Sequence, residues 1–217
     1  MANARGPNSL LAAIKNPENI VKESANAVVI KDKYPKAKIH YLILSREEIS
    51  SIFKLTKDHL SLLEEFNRLY EDIKSENKNA VLHGGFHAVP SMHRLHMHVI
   101  SNDFVSKCLK TKIHWNSFNT KFFIPCSEVM KTLNEEGSID KLPQEVHKKL
   151  ISTELQCNQC SFKPKNMPAL KQQVVLNNGL LVFKTVSLIP DHCSLLIIND
   201  LPAHFVFSIL QHWILQG

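Results

Sequence analysis

Pro90-Ser91-Met92-His93-Arg94-Leu95-His96-Met97-His98-Val99-Ile100 is the stretch whose reading decides the fold. Side chains alternate across a strand, so its pattern predicts a strand over 94–100 with Arg94, His96 and His98 on one face. Leu95, Met97 and Val99 then point to the other face, into a core. Working outward, 81–89 reads as a second strand, and Thr56-Lys57-Asp58 opens a long amphipathic helix. Its Leu60, Leu63, Phe66, Leu69 and Ile73 recur at spacings of three or four. Residues 27–30 and 38–44 read as a strand pair around a turn at 31–36 that contains Pro35. A short helix over 9–15 stops before Asn16-Pro17, because the residue preceding proline avoids the helical region. Residues 127–134 and 144–150 read as further helices. Strands in pairs with few crossovers favour an α+β domain over a doubly wound one.

Six of the twelve histidines fall between positions 83 and 114. Two imidazoles beside a guanidinium on one strand face suit attack on a phosphate and neutralisation of its charge. Solvated histidines on a polar face are the plainer alternative. His-x-His flanked by apolar residues, with His87 and His40 on other expected strands, argues for a site. Metal binding is the competing chemistry, but zinc needs three or four ligands and no HExxH or adjacent carboxylate supplies the remainder.

The chain has 217 residues, 26 Lys+Arg against 20 Asp+Glu, a net charge of +6 and 44% apolar residues. This composition excludes wholesale disorder and accommodates a real core. With six glycines and no GxxxxGK[ST] or GxGxxG, the glycine-rich phosphate cradles are absent, so phosphates must be met by side chains or helix ends. Five cysteines are an odd number, and the N-terminal residues lack a signal-peptide core, so reduced thiols are expected. No run of eighteen apolar residues exists, and no membrane partner is expected. The charge is uneven: residues 174–217 hold only Lys184, Asp191 and Asp200, a net −1, which leaves +7 on residues 1–173. Three segments are expected: a domain over 1–137 that carries the histidine cluster, a linker helix with half a zinc finger over 138–173, and a divergent apolar tail over 174–217.

Arg94-Leu95-His96-Met97-His98-Val99 resembles the His-φ-His-φ-His-φ-φ motif of the histidine triad nucleotide hydrolases and transferases. Val28-Val29-Ile30-Lys31-Asp32-Lys33-Tyr34-Pro35-Lys36-Ala37, Phe86-His87-Ala88-Val89-Pro90-Ser91-Met92 and His114-Trp115-Asn116-Ser117-Phe118-Asn119-Thr120 are similar to the DNA adenylate hydrolases of that superfamily, the aprataxin family. His98-Val99-Ile100-Ser101-Asn102-Asp103-Phe104 is too, and the resemblance runs from about residue 9 to 172. It implies a mainly antiparallel sheet packed by helices, and removal of AMP from adenylated DNA ends in strand-break repair. His96 is then the nucleophile, with His98 and His87 on phosphate oxygens. Leu10, Asp32, Lys36, His40, Ser91 and Arg94 are implied as nucleotide and phosphate contacts, and no cofactor is needed for catalysis. The first triad histidine is Arg94 here, and an aromatic wedge expected before the first helix is missing from Ala4-Arg5-Gly6-Pro7. The resemblance further implies a nuclear protein, with a cytoplasmic fraction allowed. A forkhead-associated domain is not expected. Hydrolysis of small AMP conjugates and DNA binding without catalysis remain the alternatives.

Cys157-Asn158-Gln159-Cys160 reads as the first half of a zinc finger. The third ligand is due about twelve residues later, where Gln173 stands, so the finger looks incomplete. A long-loop site using His192 and Cys193 is the alternative. Lys110, Lys112 and His114 beside Trp115 and Phe118 combine charge with aromatics, a pattern that holds phosphates and stacks on exposed bases. A solvated loop with a core tryptophan fits the composition equally well.

Overall fold

A computed structural model describes residues 9–186, with side chains from 10 to 179. In chain order the elements are α1 (Ser9–Lys15), β1 (Ile20–Glu23), β2 (Ala27–Lys31), β3 (His40–Ser45), α2 (Leu60–Glu76), β4 (Leu82–His87) and β5 (His96–Ser101). They continue with α3 (Lys112–Asn119), β6 (Phe123–Pro125), α4 (Cys126–Glu136), α5 (Gln144–Ser152) and α6 (Met167–Val186). The strands form one sheet in the order β1-β2-β3-β5-β4-β6, every pair antiparallel. This is the α+β architecture that the pairing of strands implied, with the antiparallel sheet that the resemblance implied. One compact unit runs to Val174, and the residues from Val175 form a second.

Alternation explains the two faces of the sheet. Val29, Ile43, Leu95, Met97 and Val99 pack against Leu63, Phe66 and Ile73 of α2 and Val129 and Leu133 of α4. This is the apolar stripe read at spacings of three and four. The helix is entered through Thr56, whose backbone N–H donates to His59 Nδ1 at 3.0 Å, and α4 ends on Gly137 at φ 80°, a left-handed cap suited to glycine.

The opposite face carries His40, Leu42 and Leu44 of β3. Their register partners on β5 are Ile100, His98 and His96. Directly paired residues of antiparallel strands share a face, so His40, His96 and His98 lie together. Gly85 pairs with His98, and His87 lies two residues farther along the same face of β4. Gly85 is required there: a Cβ would meet the Ile124 carbonyl at 2.5 Å and the Phe123 ring at 2.9 Å.

Three local readings change. The strand at the histidines begins at His96 rather than at residue 94, because Arg94 N–H turns back to the Met92 carbonyl at 3.2 Å. Residues 112–119 form a helix rather than a loop: Thr111 Oγ1 accepts from His114 N–H at 3.2 Å and caps it. The residues after 173, which show no helical period, continue α6 as far as Val186. The anchored start of the helix is its N-terminal part, where Leu170 and Val174 bury in a cluster with Phe104, Trp115 and Leu155.

Candidate active site

Four imidazoles converge on the sheet face opposite α2. His96 and His98 come from β5, His40 from the start of β3 and His87 from the end of β4. The ring centroids of His87 and His98 are 4.3 Å apart, those of His96 and His98 5.1 Å, and those of His40 and His98 5.2 Å. Phe118, on the inward side of α3, walls the cluster, with centroids 4.7 Å from His87, 5.3 Å from His98 and 5.5 Å from His40. Its i, i+3 spacing from the buried Trp115 was the sequence signal that could have placed it inward. A cleft of about 710 Å³ beyond, lined among others by His83, Asn102, Lys121 and Asn158, shares Phe118 as a wall.

The hydrogen bonds define the tautomers. Lys36 backbone N–H donates to His40 Nδ1 at 3.0 Å. A neutral His40 therefore carries its proton on Nε2 and donates it to His98 Nδ1 at 3.0 Å. That leaves the proton of His98 on Nε2, a buried atom with no partner among the described residues. His87 Nε2 is likewise buried and without a partner. His96 Nδ1 lies 2.6 Å from the Arg94 carbonyl, an oxygen that only accepts, so Nδ1 holds the proton and Nε2 presents a lone pair. Burial is the main cause that lowers all four basicities: His40 to about 4, His96 below its ordinary value, and His87 and His98 well below it. For His40 the Asp32 carboxylate works against that shift; the neighbouring imidazoles and Lys36 reinforce it for His87 and His98. Burial disfavours charge on the cluster, which offers the His96 Nε2 lone pair as a nucleophile and the His98 Nε2–H as a donor.

The other expected contacts distribute unevenly. Asp32 brings Oδ2 to 3.6 Å from His40 Nε2 and accepts from Tyr34 N–H through Oδ1 at 2.6 Å. Leu10 is buried from α1 against Val28, Ile30, Leu42 and Leu44, beside the histidine face. Lys36 is half-buried, and its ammonium donates to the Tyr34 carbonyl. Ser91 is exposed in the loop before β5. Arg94 does not face the phosphate position: it is buried, with Nε on the Ser45 carbonyl at 2.9 Å and Nη2 on the Arg46 carbonyl at 2.7 Å. Trp115 is only 1% exposed and gives its Nε1–H to the Gln156 carbonyl at 3.1 Å, so it holds the core and has no face free for a base. Lys110 is exposed and Lys112 half-exposed at the start of α3, where His114 Nδ1 accepts from Lys110 N–H at 3.3 Å.

Asp32, His40 and His98 offer three ligand atoms within 4.8 Å of one another. The tautomers oppose a metal there, because His40 Nε2 carries a hydrogen and not a lone pair while Lys36 N–H occupies Nδ1. The half finger fares no better. Cys157 is buried and Cys160 exposed, and α6 sets the Gln173 amide nitrogen 3.7 Å from Cys160 Sγ, at the position due for a third ligand. An amide nitrogen has no lone pair for zinc, so these described residues do not fit a tetrahedral site. His192 and Cys193 lie outside the described residues. The turn is instead tied to the sheet, with the Asn158 amide donating to the Asn102 carbonyl at 3.0 Å and Gln159 donating to the same carbonyl at 3.1 Å.

The family model of the scavenger mRNA decapping enzyme C-terminal binding region matches residues 8–114, and a C2HE / C2H2 / C2HC zinc-binding finger model matches residues 119–172. The aprataxin-like protein of Drosophila melanogaster is 48% identical over 169 residues, covering 77% of this chain and 26% of that protein. The aprataxin of Ciona intestinalis is 40% identical, covering 76% of this chain and 44% of that protein. The chain thus spans between a quarter and a half of the length of these relatives. Among solved structures, the aprataxin ortholog Hnt3 in complex with DNA superposes with a TM-score of 0.70 at 23% identity, covering 86% of this chain and all of that one, and shows the same fold.

Proposed function

The chain is a homologue of the aprataxins along about three quarters of its length, and from that premise we propose that it hydrolyses 5′-adenylated DNA, releasing AMP through a covalent histidine–AMP intermediate. The observation that carries the reading is the tautomer of His96. Its Nδ1–H is held by the Arg94 carbonyl, so the Nε2 lone pair attacks the AMP phosphorus. An N–P bond forms, the P–O bond to the DNA phosphate breaks, and the 5′-phosphate leaves as a stable anion that needs little acid help. Water then attacks the same phosphorus, the N–P bond breaks to restore the neutral His96 ring, and AMP leaves while the proton lost by water passes to solvent. His98 Nε2–H, a buried donor without a partner among the described residues, awaits a phosphate oxygen, and His87 Nε2, likewise unpartnered there, meets another in its Nε2–H tautomer. Donors held in place before the reaction stabilise charge as it develops, at no reorganisation cost. Asp32 takes the ribose hydroxyls and Leu10 lines the adenine side, both beside the histidine face. Exposed Lys31, Lys33, Lys38 and Lys110 supply positive charge for the DNA strand. The setting is DNA strand-break repair in the nucleus.

Hydrolysis of small AMP conjugates is the second reading, and the burial of Trp115 favours it by removing the expected stacking platform. Incubation with 5′-adenylated nicked DNA and, separately, with an AMP amide tests both. AMP release from the nick, abolished in His96→Ala, is expected. Release from the amide alone would establish the second reading, and turnover by His96→Ala would overturn the mechanism.

A further inference from the structure

Arg94 stands where the histidine triad pattern has its first imidazole, yet its side chain turns away from the cluster. We propose that Arg94 is a positioning residue, a backbone clamp that selects the reactive tautomer of His96; the inference rests on His96 being the nucleophile. The peptide unit joining Arg94 to Leu95 is the element in question. Its N–H, that of Leu95, donates to the Ile49 carbonyl at 2.7 Å. Its carbonyl, Arg94 O, therefore points the other way and takes the His96 Nδ1 proton at 2.6 Å. This geometry depends on holding the chain around Ile49 still, and that segment follows directly on the end of β3.

The guanidinium supplies the hold. Nε donates to the Ser45 carbonyl at 2.9 Å and Nη2 to the Arg46 carbonyl at 2.7 Å, so one planar fork grips two successive peptide units. The corner is closed again by Ser45 N–H on the Leu95 carbonyl at 3.3 Å and Arg46 N–H on the Asn26 carbonyl at 2.8 Å. Arg94 is 7% exposed, so its removal takes a buried donor from the Ser45 carbonyl. A lysine in its place reaches one carbonyl at a time, and a methionine reaches neither. With the corner loosened, Arg94 O drifts from Nδ1, and the proton redistributes onto Nε2, where it blocks the nucleophilic lone pair. The clamp acts on the fraction of reactive His96 and not on how substrate is held.

The test reads the tautomer directly. Nitrogen-15 chemical shifts of the His96 ring are measured at pH 7.5 without substrate, in the wild-type chain, Arg94→Lys and Arg94→Met. The proton is expected on Nδ1 in the wild type and on Nε2 in about nine-tenths or more of Arg94→Met, with Arg94→Lys between. Steady-state AMP release should then show kcat falling by about tenfold or more in Arg94→Met with KM within about twofold, and partial recovery in Arg94→Lys. An unchanged His96 tautomer in Arg94→Lys or Arg94→Met overturns the proposal, as does a loss confined to KM, which would place Arg94 on the substrate. Because the ring shifts are taken on the resting protein, they decide the clamp even if no adenylated DNA is turned over. Arg94→Lys keeps the buried charge and one donor, and it preserves the test should Arg94→Met not fold.

Discussion

His40 is the imidazole for which the structure specifies a shifted position on the pH scale, and acid should expose it. The imidazole titrates near 6.5 in an unfolded chain and at about 4 in the fold, chiefly through burial. Between those values the unfolded chain binds more protons, so the folded state loses stability as pH falls from about 6.5, and the loss is complete below about 4. At 1.36 kcal/mol per unit, the shift corresponds to about 3 kcal/mol in full, of which about 2 kcal/mol is lost by pH 5. The side chain is 1% exposed, so solvent does little to screen the effect. Protonation also puts a hydrogen on Nδ1 facing Lys36 N–H, which ends the 3.0 Å bond between them. His87, His96 and His98 shift the same way and steepen the total, so the His40 share must be isolated by substitution. Urea unfolding of the wild type and His40→Gln at pH 7.5, 6.5, 5.5 and 5.0 does this. The variant lacks one buried titrating ring, and its stability should fall less steeply, by about 2 kcal/mol over that range. Parallel curves for the two proteins would refute the burial argument.

Two further outcomes follow from the same contacts. Trp115→Phe removes the indole bond to the Gln156 carbonyl and should lower stability by about 1–3 kcal/mol in urea unfolding. Affinity for a fluorescent DNA nick should stay within about twofold, and a larger loss in the folded variant would restore the stacking role. Elemental analysis of the purified full chain should find well under one zinc per chain. Gln173→His, which sets an imidazole beside Cys160, should raise that figure; one tightly held zinc in the wild type would show that ligands beyond Cys157, Cys160 and Gln173 complete the finger.

Most of the strand and helix assignments follow from local periodicity. Alternation in 96–101 and the three-and-four spacing of Leu63, Phe66 and Ile73 put the core on one side of the sheet and the histidines on the other. What failed was also local. The three residues of β6 are too few to show alternation. Trp115 and its basic neighbours have the composition of a nucleic-acid surface, although the helix turns the indole inward.

By itself, the sequence determined which chemistry is available: imidazoles at alternate positions of a strand, lysines in place of glycine-rich phosphate loops, and half a finger with glutamine at the position due for its third ligand. Only the tertiary structure decided how that chemistry is aimed. The proton on His96 depends on a carbonyl held by an arginine that grips residues 45 and 46. The free N–H of His98 depends on His40, fifty-eight positions away in the chain. Side-chain types are written in the sequence and strand faces follow from a period of two, but a tautomer is set by which donor or acceptor meets each ring nitrogen. Those partners come from distant segments that only the folded sheet brings within 3 Å.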